Sequence, residues 1–161
     1  MIATPHTSIL AGSPAANGLP TVSQPHPFAL ERGFFADTME PVTTPKLAPY
    51  LLVRDAGGLA KFLEEGIGAK AGFQELTDDG KINHLELLVA DSLVMIADAP
   101  SSRPSFPAML HLYVPDADAA YRRAIEAGAE SVREPSDASD GRRGGVRDRW
   151  GNEWWFTRRA K

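Results

Sequence analysis

Two side chains that can exchange a proton stand two residues apart in an apolar segment. His84 and Glu86 alternate with Leu85 and Leu87, which is typical of a strand with one polar and one apolar face. An imidazole and a carboxylate on one strand face can form a hydrogen bond or hold a proton between them. The pair is therefore a candidate for acid–base chemistry. The alternative is a solvated polar face on a sheet whose other side enters the core.

The residue types limit the remaining chemistry. The chain has no cysteine, so His, Asp and Glu are the only strong metal ligands and a thiolate nucleophile is excluded. Phosphate-binding Gly-Lys-Ser/Thr loops, Gly-x-Ser-x-Gly elbows and His-Glu-x-x-His motifs do not occur. Trp154 and Trp155 are adjacent, so in a strand their rings point to opposite faces. An exposed indole surface of this kind favours planar or cationic ligands, and core filling is the alternative.

Composition indicates a soluble cytoplasmic protein. The 161 residues are 43% hydrophobic and 24% charged, with a net charge of −4, which suits one domain of ordinary size. No apolar run approaches the roughly 20 residues that cross a bilayer, and the amino terminus lacks the pattern of a secretory signal. We therefore expect no membrane partner. Seven basic residues against two acidic ones occupy the last 21 positions, but such runs usually form solvated faces, so no nucleic-acid partner is expected.

Composition changes near residue 46. Residues 1–45 contain seven of the 13 prolines and no sustained period of two or 3.6, so they cannot build a core of their own. We predict a proline-rich N-terminal extension over 1–45 and a folded domain over 46–161. The apolar cluster around Phe34 and Phe35 is consistent either with docking on the domain or a partner subunit, or with a mobile leader.

The predicted domain is an internal repeat. Leu51–Ala56 aligns with Leu112–Ala117 at an offset of 61, and Asp79-Gly80 aligns with Asp140-Gly141 at the same offset. The glycines Gly68 and Gly128 align with one slipped residue. The repeat predicts two modules, over about 46–98 and about 108–161.

Each module has the same predicted order of elements, β-α-β-β-β. A strand runs into an aspartate, Asp55 or Asp116, that can cap a helix with its carboxylate. Gly68 and Gly128 supply the left-handed stop of these helices. Apolar residues at helical spacing form one face of each helix: Leu59, Phe62, Leu63 and Ile67, then Ala117, Ala120, Tyr121, Ala124 and Ile125. Strands are expected at about 47–53, 70–76, 81–89 and 92–98, then at about 108–114, 130–134, 142–149 and 153–158.

On these features the sequence resembles the vicinal oxygen chelate superfamily, which includes glyoxalase I, bleomycin-resistance proteins, fosfomycin-resistance enzymes and extradiol dioxygenases. The resemblance is carried by Tyr50–Asp55, the helix stops at Gly68 and at Ala127–Ala129, and the closing run Arg147–Trp155. Asn83–Leu87 and the tryptophan-rich end are similar to the PhnB-like branch. The resemblance implies an α+β fold in which two paired β-α-β-β-β modules form a curved mixed sheet around a cavity, in a homodimer.

Relatives that use a metal take ligands from the first and last strands of each module. The resemblance places these positions at Ala48, Val94, Met109 and Trp155. None of these side chains offers the oxygen or imidazole nitrogen that a divalent cation requires. No cofactor is therefore expected, and a divalent metal would need a non-standard set made of His84, Glu86 and His111.

The resemblance also implies which residues face the cavity. The expected ligand-binding residues are Tyr50, His111, Tyr113, Trp155 and Arg147; structural roles are the alternatives for His111 and for Arg147, the latter in an ion pair. The first functional interpretation is binding of a small aromatic or cationic molecule in a Trp-lined cavity without metal. The second is a lyase, isomerase or dioxygenase whose catalytic residues are His84, Glu86 and His111. The third is a non-catalytic interaction protein, and pairing of the modules within or between chains is left open.

Overall fold

The structure, a computed structural model, describes Pro45 and residues 47–160. The predicted extension therefore lies outside the described residues except for Pro45, and its boundary stays a prediction. The first module contains β1 (Tyr50–Val53), α1 (Ala56–Phe62) continued by a π-helical turn (Leu63–Ile67), β2 (Lys70–Leu76), β3 (Ile82–Val89) and β4 (Ser92–Asp98). The second contains β5 (Met109–Tyr113), α2 (Ala117–Glu126), β6 (Glu130–Ala138), β7 (Gly141–Arg147) and β8 (Glu153–Arg159).

The predicted α+β class and the repeated β-α-β-β-β order are confirmed. The described strands form two four-stranded sheets, in the orders β1-β4-β3-β2 and β5-β8-β7-β6. In each sheet the first strand pairs in parallel with the last, and the other pairs are antiparallel. The helix supplies the crossover that parallel pairing requires. Within the described part of one chain the two sheets are separate rather than one continuous sheet.

Local sequence signals start and stop both helices as predicted. The Asp55 carboxylate accepts a hydrogen bond from the Gly58 amide at 3.0 Å, and the Asp116 carboxylate accepts one from the Ala119 amide at 3.0 Å. These bonds satisfy donors that the first turn leaves free. At the other ends, Gly68 and Gly128 adopt φ values of 83° and 97°, where a side chain would be strained.

The core lies between the helices and one face of each sheet, and it is shared by both modules. The predicted apolar stripe of the first helix is buried throughout, and α2 packs across the π-helical turn. Gly66 permits this contact, because a Cβ there would lie 2.9 Å from the Ala127 Cβ and 3.3 Å from the Ala124 Cα. The two modules are thus joined through their helices. No helix in the described residues is long and apolar enough to cross a membrane.

A second junction joins the β7–β8 turn to the start of α1. The indole Nε1 of Trp150 donates to the carbonyl of Arg54 at 2.6 Å. Arg149 lies over the Trp150 ring, 4.2 Å from its centroid, and its Nη2 donates to Asp55 Oδ2 at 2.6 Å. Polar and aromatic contacts therefore fix this turn of the second module against the first module.

One buried carboxylate fixes the conformation of the segment Arg147–Trp155, which carries the family resemblance. Asp148, 5% exposed, accepts hydrogen bonds at 2.9 Å from the amides of Trp150 and Asn152, the Asn152 side chain and the Trp154 indole. Asn152 Oδ1 in turn accepts from the Ala108 amide at 3.0 Å. Buried carboxylates need such donors. This carboxylate therefore organises the β7–β8 turn and its link to β5.

Candidate functional site

Each sheet has one face on the core and one open face, and most of the predicted site residues lie on the open faces. Strand pairing and alternating burial assign the faces. The first open face, on the first sheet, carries Tyr50, Leu52, Phe73, His84, Glu86 and Met95. The second open face, on the second sheet, carries Met109, His111, Tyr113, Arg143, Arg147, Trp155 and Thr157.

His84 is the centre of the first open face. Its Nε2 lies 3.5 Å from Glu86 Oε1, and its Nδ1 lies 3.4 Å from the Tyr50 hydroxyl. The Phe73 ring lies on its other side, with ring centroids 6.0 Å apart. The Tyr50 hydroxyl also donates to the Asn83 carbonyl at 3.3 Å, so its one proton is shared between that carbonyl and the contact with His84. The structure thus brings together the predicted His84–Glu86 pair and adds the Tyr50 hydroxyl to it.

A groove of about 580 Å³ runs along the first open face. Tyr50, Leu52 and Phe106 give it an apolar lining, and Asn83 and Arg103 contribute polar groups. Its volume lies within the range of small-molecule sites. Phe106 is 63% exposed and sits in the loop between β4 and β5, a position that strand and helix patterns in the sequence do not address.

Trp155 is the central side chain of the second open face. A Cβ built on Gly145 would lie 2.8, 2.9 and 3.0 Å from its Cδ2, Cε2 and Cε3 atoms. Three central ring atoms at nearly equal distances mean that the indole lies face-on over the Gly145 backbone. Trp155 is half-buried, so the ring also reaches the surface. Its predicted place on the side opposite to Trp154 is therefore observed, since Trp154 is fully buried.

An ion pair anchors this indole at its edge. Trp155 Nε1 donates to Glu153 Oε2 at 3.1 Å, and Arg147 Nη2 donates to Glu153 Oε1 at 2.8 Å. The Arg147 guanidinium, and to a smaller extent the Trp155 indole N–H, hold the pKa of the Glu153 carboxyl below its usual value. Arg147 therefore has the ion-pairing role that was the structural alternative for it.

His111 and Tyr113 flank Trp155 on β5. His111 Nε2 lies 2.7 Å from the hydroxyl of Thr157, which is 1% exposed. The His111 and Tyr113 ring centroids are 5.2 Å apart, and the guanidinium of Arg159 lies 4.0 Å from the Tyr113 ring centroid. A second groove, of about 680 Å³, runs between β5 and the β3–β4 turn and is lined by both His111 and Tyr113. Trp155 lines neither of these two grooves.

The structure separates the three predicted catalytic residues. His84 and Glu86 belong to the first sheet, whereas His111 belongs to the second and bonds to Thr157. Among the residues that the structure describes, no three His, Asp or Glu side chains converge as a metal-binding group. The proposed two-histidine, one-carboxylate set does not form within one chain, because sequence periodicity places residues on strands but does not pair the strands.

One of the four family ligand positions needs correction. Val94 is 3% exposed and faces the core, whereas Met95 stands opposite Tyr50 just as Trp155 stands opposite His111. The repeat offset between β4 and β8 is thus 60, whereas that between β1 and β5 is 61. The first module has one extra residue between Asp55 and Gly68, in the segment that contains the π-helical turn, and the β3–β4 turn is shorter than the β7–β8 turn.

The corrected donor set does not fit a divalent metal. Ala48 and Met95 in the first module, with Met109 and Trp155 in the second, offer only alkyl, thioether and indole groups. Mg²⁺, Zn²⁺ and Fe²⁺ sites are built from carboxylate, imidazole or thiolate ligands. These four side chains therefore cannot coordinate such an ion.

Comparisons with known proteins identify the family and the fold. Residues 41–156 match the model of the Glyoxalase/Bleomycin resistance protein/Dioxygenase superfamily, and the chain belongs to this superfamily. It is 33% identical over 130 residues to the uncharacterized protein MT0910 of Mycobacterium tuberculosis (strain CDC 1551 / Oshkosh), covering 73% of this chain and 76% of that protein.

Solved structures show the same fold. TioX from Micromonospora sp. ML1 superposes with a TM-score of 0.61 at 24% identity, covering 71% of this chain and 98% of TioX. TnmS3, an antibiotic binding protein from Streptomyces sp. CB03234, superposes with a TM-score of 0.58 at 22% identity, covering 70% and 93%. At these identities the likeness establishes the fold alone, because one fold can carry many functions.

Proposed function

We propose that this protein binds a small planar molecule without changing it chemically, by stacking the molecule on Trp155 and without a divalent metal. The observation that carries the proposal is the indole held flat over Gly145. Aromatic stacking needs a broad apolar surface at a fixed orientation. Trp155 supplies that surface on the second open face.

The contacts of Trp155 favour binding because they remove motion before the ligand arrives. Gly145 supports the ring from below, and the hydrogen bond to Glu153 fixes its rotation. A side chain that is already fixed loses little conformational entropy on binding, and that loss is otherwise about 0.5–1.5 kcal/mol. His111 and Tyr113 extend the aromatic surface beside it.

The fold is compatible with this role. TnmS3 carries the description of an antibiotic binding protein and shares the fold, so a scaffold of this shape can hold a small organic molecule. The corrected family positions lack metal ligands, which favours binding over metal-assisted catalysis. We also propose that the protein belongs to the PhnB-like branch of the superfamily.

Tryptophan fluorescence tests the proposal directly. Titration with planar aromatic compounds of differing charge should quench the emission of the full chain and saturate. Trp155→Ala should abolish saturable quenching, while Trp150→Phe, which changes a tryptophan at the junction between modules, should keep it. The proposal fails if no compound quenches, or if Trp155→Ala binds as well as the unaltered chain.

Acid–base catalysis at the first open face is a second candidate function. It is favoured by the continuous run of polar contacts from Tyr50 through His84 to Glu86, beside a groove of suitable size. A lyase or isomerase would use such a group to move a proton. Glu86→Gln should then abolish a detected turnover and Glu64→Gln, on the helix, should not. Equal turnover in both variants would exclude this role.

We also propose a homodimer in the cytoplasm. Met109 is 71% exposed and Tyr113 57% exposed, and β1 and β5 each pair on only one side within the described residues. Apolar surface and unpaired strand edges of this kind favour association. Sedimentation equilibrium of the full chain tests the dimer, and a monomer at micromolar concentration would contradict it.

A further inference from the structure

The second open face carries an excess of positive charge. Strand pairing places four arginines and two glutamates on it: Arg133, Arg143, Arg147 and Arg159, with Glu130 and Glu153. The whole chain has a net charge of −4. With Asp140, which pairs with Arg143, the arginines still exceed the carboxylates by one, so this face is opposite in sign to the whole chain and favours anions.

Two of these guanidinium groups are available to a ligand. Arg147 is neutralised by Glu153, whereas Arg159 lies on the Tyr113 ring and has no carboxylate within ion-pair distance among the described residues. Arg143 reaches Asp140 through Nη1 alone, at 3.3 Å. Its Nε is buried and donates to no acceptor in the described part of the chain. The buried Nε is closed to a ligand, so a ligand can reach Arg143 only through other atoms of its side chain, which is 33% exposed.

The position of Arg143 suits a molecule that stacks on Trp155. Arg143 stands opposite Thr157, and Gly145 stands opposite Trp155, on the same pair of strands and the same face. Two residues along a strand span about 7 Å. A bicyclic aromatic compound on the indole can therefore direct a substituent toward Arg143. Arg159 and Tyr113 lie at the same end, since Tyr113 also pairs with Thr157.

We infer that the ligand of the second open face is a planar molecule with an anionic group, such as a carboxylate, which Arg143 and Arg159 bind while its ring stacks on Trp155. This inference rests on the proposed function and narrows it, because the sequence pattern allowed a cationic ligand equally. A guanidinium binds a carboxylate through two parallel N–H bonds.

Three probes of one shape test the inference on the unaltered full chain. Calorimetric titration compares 2-naphthoate, 2-naphthamide and 2-naphthylmethylammonium, which are anionic, neutral and cationic. We expect naphthoate to bind about tenfold or more tightly than the neutral amide, because charge-assisted bonds contribute about that factor. The advantage should shrink as salt increases.

Matched arginine variants locate the effect. Arg143→Met and Arg159→Met should each remove much of the naphthoate advantage. Arg158→Met, on the same strand with its side chain on the opposite face, should leave it unchanged. Circular dichroism shows whether each variant is folded, and the probe comparison needs no variant.

The outcomes separate this inference from the proposed function. Tighter binding of naphthoate that is lost in Arg143→Met supports the inference. If the amide or the ammonium compound binds as tightly as naphthoate, the ligand need not be anionic and the inference is overturned, while stacking on Trp155 still stands. If none of the probes binds, both the stacking site and the inference drawn from it are overturned.

Discussion

Adding one methyl group at Gly145 should move Trp155. A Cβ at this position would lie 2.8–3.0 Å from three indole atoms, whereas carbon atoms pack at about 3.5–4.0 Å. The ring in Gly145→Ala must therefore lift or tilt by somewhat less than an ångström. Overpacking of this kind costs about 1–3 kcal/mol in stability.

The same movement should weaken ligand binding. It disturbs the stacking surface, worth about 0.5–1.5 kcal/mol, and the Trp155–Glu153 hydrogen bond that fixes the ring, so that ordering the ring on binding costs about 0.5–1.5 kcal/mol. The two effects together correspond to roughly 5- to 150-fold in the dissociation constant. Urea denaturation gives the change in the free energy of unfolding, and fluorescence titration gives the change in affinity.

Two variants make the result specific. Gly72→Ala is the matched control, because a Cβ there meets its nearest atom, the Glu86 carbonyl oxygen, at 3.4 Å, so stability and affinity should change little. Trp155→Leu in the Gly145→Ala background removes the ring that clashes and should recover stability without recovering binding. The face-on geometry is refuted if Gly145→Ala is as stable and binds as tightly as the unaltered chain, or if the two substitutions have purely additive effects on stability.

Asp148→Ala leaves four donors without their acceptor and should lower the free energy of unfolding by about 3–5 kcal/mol; a loss below 1 kcal/mol in urea denaturation would contradict the role of this carboxylate. Gly66→Ala should destabilise by about 1–3 kcal/mol through the helix contact, whereas Gly57→Ala, with no atom within 4 Å, should not destabilise; equal melting temperatures would disprove this contact. The pKa of Glu153 is depressed in the folded state by Arg147. The stabilising effect of this carboxylate is therefore present above its unfolded pKa and is lost as the pH falls through the lower folded pKa. Trp155 emission should change over that acidic range in the unaltered chain and not in Glu153→Gln, and identical profiles would be the contrary result.

Most of the secondary structure could be predicted because its signals are local. The caps at Asp55 and Asp116 and the stops at Gly68 and Gly128 act on amides within a few residues. Strands β2 and β4 have the predicted bounds, 70–76 and 92–98, because the turns beside them mark their ends. Strand β6 is longer than expected, Glu130–Ala138 rather than 130–134, because pairing with β7 extends it past Pro135.

The candidate site could be predicted only in part. The His84–Glu86 pair follows from residues two positions apart on one strand and is observed. The partners of Trp155 do not follow, because Gly145 belongs to another strand and nothing in its own neighbourhood marks it as the support of a ring. The same holds for Arg143, which sequence patterns do not distinguish from Arg147.

The sequence by itself determined the repeated β-α-β-β-β order, the helix ends and the residue types available for chemistry, because periodicity and capping act between near neighbours. The tertiary structure decided which side chains meet. The register between β1 and β4 puts Met95 and not Val94 opposite Tyr50, and the division into two sheets separates His84 from His111. Register between distant strands fixes such contacts, and that register is set by the packing of the whole core.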